Sequence, residues 1–142
     1  MTINGDGQVD GVSSNEQGYH MAIWANGGHV EINGGTFTNA NVDGDDTQYD
    51  LIYASNGGTV VINGGTFISK TPRWTLNVKN GSNTSWIKVE GGIFYEFDPS
   101  AAYTDDDIPE GGKNPVNYVV ENSLVEFDGE SYYTVTSSIE EN

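Results

Sequence analysis

Apolar and polar positions along the chain follow one phrase three times. His29-Val30-Glu31-Ile32-Asn33-Gly34-Gly35-Thr36-Phe37 returns as Thr59-Val60-Val61-Ile62-Asn63-Gly64-Gly65-Thr66-Phe67. It returns more loosely as Trp86-Ile87-Lys88-Val89-Glu90-Gly91-Gly92-Ile93-Phe94. Gly34, Gly64 and Gly91 set the spacing, 30 residues and then 27. A period of roughly 20–50 residues marks a stacked repeat architecture. Within each copy, Val30/Val60/Ile87 and Ile32/Ile62/Val89 stay aliphatic, which predicts a strand with these positions inward. Glu31, Val61 and Lys88 vary freely and are expected outward.

A second strand precedes each phrase. Tyr19 to Gly28 aligns with Tyr49 to Gly58 at an offset of 30. The third copy starts at Trp74 and is shorter, with Asn80-Gly81 in place of Asn56-Gly57. Ile52/Leu76 and Ala54/Val78 are read as inward, which carries Ala22 and Trp24 inward in the first coil. Each coil is then a strand, an Asn-Gly-Gly corner, a strand, and an Asn-Gly-Gly-Thr-Phe corner. Phe37, Phe67 and Phe94 are expected to stack inside the last corner. Asn26, Asn56 and Asn80 are expected to form an amide ladder. A variable loop closes each circuit, acidic at 39–48 and short at 69–73.

No single coil can bury its apolar face alone. Stacking at about 4.8 Å pairs every strand with its equivalents. The expected fold is therefore all-β: a short right-handed parallel β-helix of about three to four coils. A β-propeller needs four strands in roughly 40 or more residues, and these repeats are too short. Thr2-Ile3-Asn4-Gly5 matches Glu31-Ile32-Asn33-Gly34, so residues 1–18 read as an incomplete coil. That start is expected to be a boundary inside a longer array or an end that needs covering. After Phe94 the repeat stops. Asp128-Gly129 lies between Leu124–Phe127 and Ser131–Val135, a hairpin signal. The hairpin is expected to cap the open strand edges. The reading is one domain, with coils over 1–97 and a capping segment over 98–142.

Composition narrows the partners. A length of 142 residues suits one domain, and 35% hydrophobic residues is low. Eight Tyr, five Phe and three Trp nevertheless supply too many apolar anchors for a disordered chain. A net charge of −16 disfavours nucleic acid and anionic membrane, which need a basic face. No apolar run reaches the length of a membrane span, so no membrane insertion is expected. Met1 is followed by a polar segment, so no signal peptide is visible. There is no Cys, so disulfides do not hold the fold.

Ile-Asn-Gly-Gly-Thr-Phe at 32–37 and 62–67 resembles the repeats of β-solenoid proteins of gut Bacteroidetes and their phages. So does Gly91-Gly92-Ile93-Phe94-Tyr95-Glu96-Phe97-Asp98-Pro99-Ser100. The ending from Asn117 to Asn122, followed by Tyr132-Tyr133-Thr134-Val135, is similar to their C-terminal segment. The resemblance covers most of residues 29–135. It implies an extracellular module of a cell surface or a virion, with carbohydrate contact. It supplies no catalytic residues.

Candidate chemistry is sparse. Asn4 to Asp10 looks like the middle of a calcium loop, but the expected end ligands would be Thr2 and Ser13, and a glycine-rich corner is the competing reading. Asp43, Asp45 and Asp46, with Asp50 close by, form an oxygen-rich loop that could hold Ca²⁺, against a solvated acidic loop. No other cofactor is expected. A polysaccharide lyase or hydrolase relative would need clustered acids beside a base or paired at glycosidic spacing. The strands carry few carboxylates, so the chain is read as no enzyme. His20 and His29 have no partner ligands for zinc. Tyr53, Arg73, Trp74 and Trp86 are the candidates for glycan contact or for an interface, since aromatic faces with polar neighbours serve both. The expectation is a non-catalytic structural or adhesive module that self-associates or continues a longer solenoid, with a carbohydrate-binding module as the alternative.

Overall fold

The structure is a computed structural model that describes residues 1–11, 21–39, 50–79, 84–100, 118–119 and 123–137. Among the described residues the regular elements are strands, apart from one 3-10 turn. It runs through β1 (Thr2–Ile3), β2 (Gln8–Asp10), β3 (Ile23–Asn26), β4 (His29–Ile32), β5 (Thr36–Thr38), β6 (Ile52–Ser55), β7 (Thr59–Ile62) and β8 (Thr66–Ile68). A 3-10 turn at Pro72–Trp74 follows, then β9 (Leu76–Val78), β10 (Trp86–Val89), β11 (Gly92–Tyr95), β12 (Tyr118–Val119), β13 (Ser123–Phe127) and β14 (Tyr132–Ser137).

Equivalent strands of successive repeats lie side by side. One sheet has the order β1-β4-β7-β10-β12, a second β3-β6-β9, and a third β2-β5-β8-β11-β14-β13. From β3 to β11 the chain visits second, first and third sheet three times in that order. All pairs up to β11, and β10 with β12, are parallel. The phrase that repeats in sequence is thus the phrase that stacks: Val30 pairs with Val60 and Val60 with Ile87. Thr2 and Ile3 pair with Glu31 and Ile32, so the partial N-terminal match is a real strand of the first sheet.

Three columns fill the interior. Ile32, Ile62 and Val89 are wholly buried, as are Ile52, Ala54 and Val78 on the second sheet. Phe37, Phe67 and Phe94 form the third column, with ring centroids 5.1 and 4.9 Å apart and interplanar angles of 6° and 12°. Each fully buried aliphatic or Phe side chain contributes about 1.5–3 kcal/mol relative to exposure. The Phe residues sit in strands β5, β8 and β11, where a corner was expected. Three or four residues, with the Phe the one wholly buried position, are too short for alternation to announce a strand.

The register of β3 also differs from the expectation. Ile23 pairs with Ile52 and Ala25 with Ala54, an offset of 29, whereas β4 and β7 pair at 30. The second circuit takes up the extra residue at its corner, where Asn56 and Gly57 both have positive φ, 52° and 84°. A slip of one residue exchanges the two faces of a strand. Ile23 and Ala25 therefore point inward, and Trp24 is 49% exposed rather than inside. Ala22, also expected inward, is half-buried and packs against the edge of the core.

The C-terminal hairpin covers one end. β14 pairs antiparallel with β11, and β13 with β14. Val135 is buried, and Val125 and Tyr133 pack against the core. Asp128 holds the hairpin turn: its Oδ1 accepts from the amides of Glu130, Ser131 and Tyr132 at 2.7, 2.9 and 3.2 Å. Gly129 turns the chain at φ 87°. The Glu130 amide first, then those of Tyr132 and Ser131, hold the exposed Asp128 carboxyl below its ordinary value. A lowered folded value means that this contribution is present above the unfolded value of about 3.9 and is lost as pH falls through the folded one. The amide proton shifts of Ser131 and Tyr132 are expected to titrate with a midpoint below that unfolded value. A midpoint at or above that value would mean that the carboxylate does not hold the turn.

Candidate functional site

The outward positions of the second sheet form an aromatic column. Trp24 pairs with Tyr53, and Tyr53 with Asn77. The Trp24 and Tyr53 rings lie 6.2 Å apart at 38°. Trp24 Nε1 donates to Ser55 Oγ at 2.8 Å, which fixes the indole against the wall. Tyr53 is half-buried. Asn77 ends the column beneath the surface, 1% exposed, and its Nδ2 donates to Asp50 Oδ1 at 2.8 Å. Its Oδ1 is buried and accepts no hydrogen bond.

A second column lies on the first sheet, where His29, Thr59 and Trp86 are in register. His29 Nδ1 and Thr59 Oγ1 are 2.7 Å apart. The His29 and Trp86 rings approach to 6.2 Å across the intervening threonine. Trp86 keeps 38% of its surface exposed. Below it, Lys88 Nζ and Glu90 Oε1 form an exposed ion pair at 2.9 Å, worth about 0–1 kcal/mol.

Tyr53 and Trp86 stand on different sheets. Arg73 is exposed in the 3-10 turn. Trp74, the next residue, is only 4% exposed and presents no face to a ligand. A bulky indole in a turn against the wall is better buried than wetted. Trp24 is the residue the sequence reading missed. The signal was present: Ile23 and Leu51 are apolar one position before Trp24 and Ile52, and both are buried.

Side-chain amides join the repeats on the first sheet. Asn33 Nδ2 donates to Asn4 Oδ1, and Asn63 Nδ2 to Asn33 Oδ1, both at 2.8 Å. Asn56 Nδ2 donates to Asn26 Oδ1 at 2.7 Å on the neighbouring corner. Asn80, expected third in that ladder, lies outside the described residues, as do Asp43, Asp45 and Asp46 of the calcium reading. Among the described residues no group of three or more His, Cys, Asp or Glu side chains could hold a metal ion. Exposed indole and phenol faces beside hydroxyls and amides can pack on the C–H face of a sugar or on another protein. Comparison with protein-family models, with curated proteins and with solved structures finds no match to this chain.

Proposed function

We propose that the chain is a non-catalytic structural or adhesive module, a short right-handed parallel β-helix that acts as a rigid rod or assembly element. The observation that carries this reading is the in-register stacking of side chains between repeats. Phe37, Phe67 and Phe94 stack inside, while Asn4, Asn33 and Asn63 bond to one another outside. Such columns join neighbouring repeats into one stiff body. The resemblance in sequence suggests a bacterial cell surface or a phage particle as the setting, outside the cell. Light scattering over a range of concentrations tests the assembly role. An assembly element gives a defined oligomer or a series of growing species; a concentration-independent monomer overturns that role.

The Trp24–Tyr53 column favours a second reading, a carbohydrate-binding module. On that reading Trp24→Ala abolishes retention on an immobilised glycan that the unaltered chain binds. Retention unchanged in both Trp24→Ala and Tyr53→Ala rules the column out.

A further inference from the structure

The outer side of the corner between the first and third sheets carries a groove of about 410 Å³, separate from both aromatic columns. That volume lies within the roughly 300–1,000 Å³ of ligand sites. Thr36, Thr66, Ile93 and Thr134 line it from four neighbouring strands in register. Three inter-strand steps of about 4.8 Å make it about 14 Å long, running along the stack. The glycine pairs before Thr36 and Thr66 form the floor, so backbone rather than side chain meets a ligand there. Among the described residues, the hydroxyls of Thr36, Thr66 and Thr134 have no hydrogen-bond partner, and neither do the amides of Gly35 and Gly65.

The lining selects the ligand by elimination. It holds no Lys, Arg or His, and the chain carries a net charge of −16, so an anion has no counter-charge. Asp6 is its sole carboxylate, too few oxygens for a bound cation. Apolar side chains stand at one end only, Ile93 and Val135. What remains is a ligand with C–H faces and many hydroxyls, repeated along a line. We infer that this groove binds a neutral oligosaccharide laid along the stack, with the threonine hydroxyls and Asp6 meeting sugar hydroxyls. This site is independent of the Trp24–Tyr53 column.

Isothermal titration with cellohexaose, xylohexaose, mannohexaose and an oligogalacturonate tests it. At least one neutral hexasaccharide is expected to bind, and the uronate is not. Thr66→Tyr, an outward strand position that accepts an aromatic residue, fills the groove and is expected to abolish that binding. Thr66→Val, which keeps the shape and loses the hydroxyl, weakens it about three- to tenfold. Circular dichroism checks that the variants fold, and Ile93→Tyr blocks the groove from the next strand if Thr66→Tyr does not. Lys79→Ala, an exposed position outside the groove lining, leaves the binding intact. Binding that survives both groove-filling variants and disappears in Trp24→Ala overturns the inference in favour of the aromatic column. Failure of every neutral hexasaccharide to bind, or equal binding of the uronate, also overturns it.

Discussion

Phe67→Ala is expected to lower the free energy of unfolding by about 3–5 kcal/mol. Phe67 is the middle ring of the stack, with Phe37 at 5.1 Å on one side and Phe94 at 4.9 Å on the other. It is wholly buried, so truncation removes the full transfer contribution of the ring. It also removes two aromatic contacts, each worth about 0.5–1.5 kcal/mol beyond area. The neighbouring rings cannot close the gap, because their strands are pinned by parallel pairing through β5, β8 and β11. Phe37→Ala is expected to cost less, since its N-terminal neighbour in register is Val9, only partly buried. Urea titration of both variants measures the difference. A loss below about 1 kcal/mol at Phe67 would show that the interior relaxes into the space.

The second large effect comes from adding one carbon atom. In Gly58→Ala the new Cβ would stand 1.8 Å from the carbonyl oxygen of Ala25 and 2.5 Å from its carbon. Both are backbone atoms in the strand pair β3/β6, so relief requires moving one repeat relative to the next. The expected loss is about 3 kcal/mol, the upper end of the overpacking range. Gly28 occupies the same place in the first repeat and follows Gly27 as Gly58 follows Gly57. A Cβ on Gly28 meets nothing within 4 Å. Gly28→Ala is therefore expected to stay within about 0.5 kcal/mol of the unaltered chain. Thermal unfolding of the pair tests whether close approach, rather than glycine content, decides the corner. Equal midpoints would refute it.

The repeated Ile-Asn-Gly-Gly-Thr-Phe made the stacking of strands readable, because identical apolar positions recur where identical contacts recur. The hairpin around Asp128-Gly129 was readable for a local reason, as turn chemistry depends on adjacent residues. The placement of Trp24 was not. Its face depends on a single residue, Asn56, that the corner absorbs, and an alignment by Asn-Gly pairs hides that residue. The third sheet escaped notice because Thr36–Thr38 and Thr66–Ile68 are too short for a visible period. The Asn4–Asn33–Asn63 ladder follows from the stacking, yet the same sequence pattern also pointed to Asn26, Asn56 and Asn80. The threonine groove is the least readable feature. Its floor is glycine backbone, and a surface without side chains leaves no trace in a pattern of side chains.

The extra residue at Asn56 bears on how such a chain can change by insertion and deletion. Between neighbouring repeats the strand offsets range from 24 residues for β6/β9 to 30 for β4/β7, yet Ile52 still faces Leu76 and Val30 still faces Val60. Each of these ladders runs in unbroken register, so the differences in offset fall between the paired strands. A codon lost or gained at a corner leaves every interior column in phase. The same event inside β7 would turn Val60 and Ile62 to water and Val61 to the core. Lineages of this chain should accordingly differ in corner length and agree in strand length, so that a gap falling within a strand would betray a misaligned relative.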